Sequence, residues 1–195
     1  MASRELAPRR WRWVVRIAVW TFLIAVVLTD LSGLILQRAA IPFSLFILLT
    51  IIMTGVFFDI IAVAATAGSE KPFHAMAAKK QPGAKQALRV IRNADKVANF
   101  TADVVGDIAG IVSGAAGAAI ALQFATGGLE SRESFLGVFL AGLTAALTIG
   151  GKAVGKGIGI SRSTEILLLV GRFLYFMERR LGLKLLDERG RGPRR

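Results

Sequence analysis

The sequence predicts an all-α membrane protein: four transmembrane helices with two amphipathic juxtamembrane helices on the cytoplasmic side. Three observations carry this. Of 195 residues, 54% are hydrophobic, and the mean hydropathy is +0.57. The apolar residues form four long blocks instead of scattering at helix or strand periods, and each block approaches the ~20 residues a helix needs to cross hydrocarbon. The 25 Lys and Arg, against 13 Asp and Glu, gather in alternate connectors. No block alternates apolar and polar residues, which disfavours a β-barrel. Cysteine is absent, excluding a disulfide scaffold and thiol chemistry. A single histidine (His74) and a single tyrosine (Tyr175) leave little for a histidine-based active site.

Block one, Trp13 to Leu36, is broken only by Arg16 and Asp30. Arg4, Arg9, Arg10 and Arg12 precede it, as they would a signal peptide. However, Thr29-Asp30-Leu31-Ser32-Gly33 lacks a small-x-small cleavage site and apolar residues resume at once, so a retained helix is expected. Arg9-Arg10 is too common a start to mark twin-arginine export. Block two, Phe43 to Ala67, carries one charge, Asp59.

Ser69 to Pro82 is a polar, turn-prone stretch closed by Pro82-Gly83. From Ala84 the spacing becomes helical. Ala84, Ala87, Leu88, Ile91, Ala94 and Ala98 share one face, with Lys85, Arg89, Arg92, Lys96 and Asn99 on the other. This is the first juxtamembrane helix, expected at the cytoplasmic interface. Packing on a soluble domain is the weaker alternative, since the sequence contains no such domain.

Block three, Thr101 to Phe124, carries Asp103 and Asp107; block four, Phe135 to Val154, carries Lys152. Gly151 to Gly159 is expected to be flexible. Ser161 to Leu181 holds apolar runs too short to span, with Glu165, Arg172 and Arg179 at seven-residue intervals. It is the second interfacial helix, preferred over a fifth crossing. The basic tail, 182–195, offers no reason to fold.

Positive residues set orientation. They crowd before block one, between blocks two and three, and from Lys152 onward, while the other two connectors hold only Arg38 and Arg132. Both termini and the central segment therefore face the cytoplasm of a bacterial-type inner membrane. The charge of +12 is a topology signal, lipid is the partner, and nucleic-acid binding loses its motivation.

A carboxylate near the middle of a span costs about 2.5–3.5 kcal/mol on insertion scales and marks function by default. Asp30 lies near a helix end, and Asp103 divides evenly between a capping and a functional role. Asp59 and Asp107 are sharper. Asp107 shares an i, i+4, i+8 face with Asn99 and Asp103, continued by Gly106, Gly110, Gly114 and Gly117 with Ser113 at its margin. Such glycines suit close helix packing. Block four offers a matching stripe through Gly137, Ala141, Thr144, Ala145, Thr148 and Lys152. Were Asp59, Asp107 and Thr148 to converge, they would form an all-oxygen site suited to a hard cation such as Mg2+. Two such carboxylates would otherwise share a proton or pair with Lys152 or Arg16 as a structural feature.

Several segments together resemble the transmembrane domain of the CNNM/CorC magnesium transporter family. They are Leu49-Thr50-Ile51-Ile52-Met53-Thr54-Gly55-Val56-Phe57-Phe58-Asp59, then Ala75-Met76-Ala77, Gly83-Ala84-Lys85-Gln86-Ala87-Leu88, Val105-Gly106-Asp107 and Thr148-Ile149-Gly150-Gly151-Lys152. The likeness covers roughly 43–181, leaving 1–42 as a basic N-terminus with an extra helix. It implies a homodimer of three core helices with a juxtamembrane belt, and an inward-facing cavity for dehydrated Mg2+. The family's serine and asparagine ligands fall at Asp59 and Asp107, each gaining a carboxylate. Its two glutamates fall near Ala62 and Thr148 and are lost. Only nine residues follow Leu186, so the family's ATP-binding CBS domains are not expected here, and a separate cytosolic partner would have to supply regulation.

The expected site is Asp59 and Asp107 holding Mg2+, supported by Asp103, Asn99, Ser113 and Thr148, with no organic cofactor. Two rivals stand beside it: monovalent- or proton-coupled transport through the same carboxylates, and a non-transporting membrane scaffold. An enzyme is the weakest option. No nucleophile–base pair or zinc motif occurs, and Gly150-Gly151-Lys152 and Gly155-Lys156-Gly157 lack the spacing of a phosphate loop.

Overall fold

The computed structural model describes residues 6–126 and 133–182, and among them there is no strand. The elements are α1 (Leu6–Arg38), α2 (Ile41–Ala67), α3 (Glu70–Ala78), α4 (Ala84–Arg92), α5 (Ala94–Ala98), a π-helical segment (Asn99–Gly106), α6 (Asp107–Thr126), α7 (Glu133–Ser161) and α8 (Ser163–Leu181). Four stretches are long and apolar enough to cross a membrane: Ala18–Leu36, Ile41–Ala67, Ala94–Gln123 and Gly137–Ser161. The expected four-block pattern is therefore present. Arg4, most of the block three–four connector and the tail beyond Gly182 lie outside the described residues.

The chain divides into two compact units, 1–52 with 107–147 and 53–106 with 148–195, and passes between them inside α2 and α7 and at the start of α6. In the first unit α1 packs along α6. Gln123 donates from Nε2 to the Leu36 carbonyl, which also accepts from the Ala39 N–H at 3.2 Å in the last turn of α1. Gly117 admits Thr144 of α7: a Cβ there would lie 2.9 Å from Thr144 Oγ1. Gly110 and Gly114 have open space instead, so close packing explains Gly117 but not the whole glycine stripe. Many of the described side chains of α1 are exposed in the chain, with Trp20 at 64% and Phe22 at 65%.

The second unit holds a helical layer made of α3, α4 and α8, with a core of Ala64, Ala65, Phe73, Ala87, Leu88, Val90 and Leu167. Three expectations are corrected here. Ser69 to Pro82 is not a turn but mostly α3, because Pro72 stands in its first turn, where a missing N–H costs nothing, and Phe73 is fully buried. The amphipathic stretch from Ala84 breaks at Asn93, whose Nδ2 donates to the Arg89 carbonyl at 2.9 Å. Its apolar face is covered by protein, with Ala84 and Ala87 at 0% exposure. Within the chain that face packs against α3 and α8. Gly83, at φ 87°, opens α4 in the left-handed conformation that glycine tolerates.

The third correction concerns Gly151 to Gly159, expected to be flexible and found inside α7. Its glycines are contact points. A Cβ at Gly151 would lie 2.9 Å from Val56, one at Gly155 2.8 Å from Ile60, and one at Gly159 3.0 Å from the Ile60 carbonyl and Val63. Contacts rise together along both chains, so these stretches of α2 and α7 run parallel. Without side chains at three successive turns, α7 can lie almost against the α2 backbone.

Candidate functional site

Asp59 is the residue in which burial and charge conflict most sharply. It sits in the second-unit part of α2, 6% exposed, on the face that also buries Gly55, Val56 and Ala62. Its Oδ2 atom is buried without a hydrogen-bond partner. A buried polar atom left in this way costs on the order of 1–3 kcal/mol, and more for a charge. A cation, proton or polar ligand placed there would recover that energy.

The other sequence-predicted residues are distributed as follows. Thr148 is half-buried in α7, and Asn99 and Asp103 are exposed on the π-helical segment, all in the second unit with Asp59. Asp107 and Ser113 belong to the first unit. Asp107 is exposed at the start of α6. Ser113 is buried, and its hydroxyl donates to the Gly110 carbonyl at 2.9 Å, so its proton serves the helix itself. The expected i, i+4 stripe through Asn99 and Asp103 runs through π-helical winding, whose i→i+5 bonds alter the register on which that stripe depends. Among the described residues no three Asp, Glu or His side chains gather into a group able to hold a metal ion.

Lys152 enters the same unit in a way that sequence spacing did not reveal. Gly106, the last residue of the π-helical segment, is buried. A Cβ built on it would lie 3.7 Å from Lys152 Nζ and 3.8 Å from the Gly55 carbonyl. The ammonium therefore lies close to Gly106 at the end of the π-helical segment. The i, i+3, i+7 relation of Lys152, Gly155 and Gly159 could have signalled it, because the two glycines mark the α7 face that packs on α2.

A second polar feature lies just past the end of α2. A cleft of about 650 Å³ is lined by Ala65, Gly68, Glu70, Ile91, Arg92 and Asp95, among others. Glu70 Oε2 accepts from Arg92 Nε at 3.1 Å and lies 3.2 Å from His74 Nε2. Burial alone would raise the Glu70 pKa, but hydrogen bonds and charges from Arg92 and His74 outweigh it and hold the carboxyl below its ordinary value. None of the sequence-predicted site residues lines this cleft.

Among the described residues the chain is built entirely of helices, four of them long and apolar enough to cross a membrane, with a buried carboxylate oxygen on Asp59 that has no hydrogen-bond partner. No protein-family model, curated protein or solved structure matches the chain.

Proposed function

We propose that this chain is an integral membrane protein that binds and moves a cation at Asp59, with Mg2+ as the foremost cargo. The observation that carries the reading is the buried Asp59 oxygen without a partner, on a helix long and apolar enough to span a membrane. Such a group is expensive to retain without a ligand. Asp59 is the central ligand, and Thr148 adds a hydroxyl from the same unit. Asn99 and Asp103 are exposed oxygen donors for arriving ions. Retained waters would fill the remaining positions, as Mg2+ favours.

Support for Mg2+ comes from the resemblance to the CNNM/CorC transmembrane domain, which also motivates a homodimer and a separate cytosolic regulatory partner. Segregation of the positive residues supports cytoplasmic termini in a bacterial-type inner membrane. The parallel run of α2 and α7 suits two crossings in the same sense. In this arrangement α8 carries the interfacial role, since the apolar face of α4 is occupied by protein. The chain is a carrier, not an enzyme.

A single buried carboxylate favours a second reading, proton- or monovalent-coupled transport, because one carboxylate suits H+ or Na+ better than a divalent cage. Flux into proteoliposomes separates the two. Mg2+ uptake that disappears in Asp59→Asn supports the first; flux that persists without divalent ions and tracks pH supports the second. A chain that moves no ion, with Asp59→Asn indistinguishable from wild type, would be a scaffold.

A further inference from the structure

We infer that the outward face of α8 recognises anionic phospholipid, docking on the membrane surface through an apolar stripe edged by arginines. The inference rests on the chain spanning a membrane with α8 at its interface, and it does not depend on Asp59. Only Arg162 separates α8 from the end of the Gly137–Ser161 stretch, so α8 begins where a span ends. Its inward face is occupied. Leu167, Gly171, Leu174 and Glu178 follow one another at i, i+4, i+7 and i+11. Leu167 is fully buried, Leu174 packs against the core of this unit, and Glu178 accepts from Gln86 and Arg89. The opposite face repeats that spacing through Leu169, Phe173 and Phe176, exposed at 62%, 62% and 58%, and ends at Arg180.

The charge on that face is one-sided. Glu178 is engaged inside the helical layer, which leaves Arg172, Arg179 and Arg180 of α8 exposed against Glu165. Arg180 lies 5.6 Å over the Phe176 ring, so a ring that enters the acyl boundary carries a guanidinium to the level of the phosphates. The planar guanidinium fork fits phosphate oxygens bidentately. The turn between α3 and α4 extends the same edge. A Cβ on Gly83 would lie 2.5 Å from the Arg172 nitrogen, so the turn with exposed Lys79, Lys80 and Lys85 abuts Arg172. Apolar side chains in a stripe with cations at its margin are the composition of a helix lying in the headgroup plane. Any apolar surface could cover the stripe, but a leaflet carrying anionic headgroups also matches the cations around it.

The test uses the full chain, whose lack of cysteine allows one fluorescent label per variant, at Leu169→Cys, Phe173→Cys or, as a reference on α1, Phe22→Cys. Each is reconstituted in phosphatidylcholine vesicles containing nitroxide-labelled lipid, with or without phosphatidylglycerol. Both α8 labels should be quenched strongly with phosphatidylglycerol and weakly without it, while the α1 label is quenched in both. Adding Arg172→Gln or Arg179→Gln should each lower the docked-to-undocked ratio of α8 about fivefold, and high salt should act in the same direction. Two α8 labels are used so that a defect in one leaves the other to decide. Equal quenching of α8 in both lipid mixtures overturns anionic recognition. Unquenched α8 labels beside a quenched α1 label overturn the inference, whether water or a second copy covers the face, and leave the membrane reading in place. Absence of quenching at all three positions removes that reading, and the inference with it.

Discussion

Arg89 Nη1 donates to Glu178 Oε1 at 2.7 Å, and Gln86 Nε2 reaches the other oxygen of the same carboxylate at 2.7 Å. Two donors on α4 thus clamp one acceptor on α8, with side-chain exposure of only 18% for Arg89 and 20% for Glu178. Hydrogen bonds involving charged groups contribute about 1.5–3 kcal/mol. Glu178→Ala should therefore lower stability by about 1.5–3 kcal/mol, and Glu178→Gln by less. Thermal unfolding in detergent, followed by circular dichroism, checks the order.

The same helix pair makes a backbone-to-backbone approach at Gly171. A Cβ there would collide with the Gly83 carbonyl and lie 2.9 Å from the Ala87 amide nitrogen. Neither atom can rotate away as a side-chain tip would. Gly171→Ala should cost about 1–3 kcal/mol as overpacking. Gly157, with nothing within 4 Å of its Cβ position, should accept alanine within about 0.5 kcal/mol. The contrast between the two melting temperatures is the measurement.

Seating of α7 on α2 should depend on side-chain volume at alternate turns. Gly155→Leu drives carbon into Ile60 and Val56, whose atoms lie 2.8 and 3.3 Å from a Cβ, whereas Gly150→Leu meets open space. Disulfide trapping of a Val63→Cys/Gly159→Cys pair reports the seating directly, since wild type has no cysteine. Efficient cross-linking is expected in the Gly150→Leu background and its loss in the Gly155→Leu background.

Glu70 gives the pH dependence a definite sign. Its folded pKa is lowered, so its contribution is fully present above the ordinary glutamate value of about 4.3 and fades as pH falls through the lowered folded value. The carboxylate is 40% exposed, so solvent screening keeps the effect below about 1 kcal/mol. Glu70→Gln should lower stability slightly at neutral pH and flatten the acid limb of a melting-temperature profile. An unchanged acid limb would remove Glu70 from the account.

The parts of the fold legible in the sequence are those fixed by continuous composition. Four apolar blocks became four helices of spanning length because bilayer thickness sets a minimum run of apolar residues, which the eye can count. Asp59 was legible for the same reason: one charge in such a run has nowhere polar to go. What stayed hidden depends on partners distant in sequence. Gly151, Gly155 and Gly159 look like a loop until Val56, Ile60 and Val63 are placed against them. The stretch around Pro72 reads as a turn until the burial of Phe73 is known. The apolar face of α4 reads as lipid-facing because α8, which covers it, lies about eighty residues away. Lys152 was visible as a charge, and its i, i+3, i+7 relation to Gly155 and Gly159 gains meaning only once those glycines are placed on α2.

The central claim is that the Asp59 carboxylate takes a cation inside the membrane-spanning part of the chain. Its most direct test is calorimetric titration of the detergent-solubilised protein with Mg2+, then Mn2+, Ca2+ and Na+, each repeated on Asp59→Asn. Saturable Mg2+ binding in wild type, absent in Asp59→Asn at an unchanged melting temperature, is the expected result. Identical titrations for the two proteins would contradict the claim.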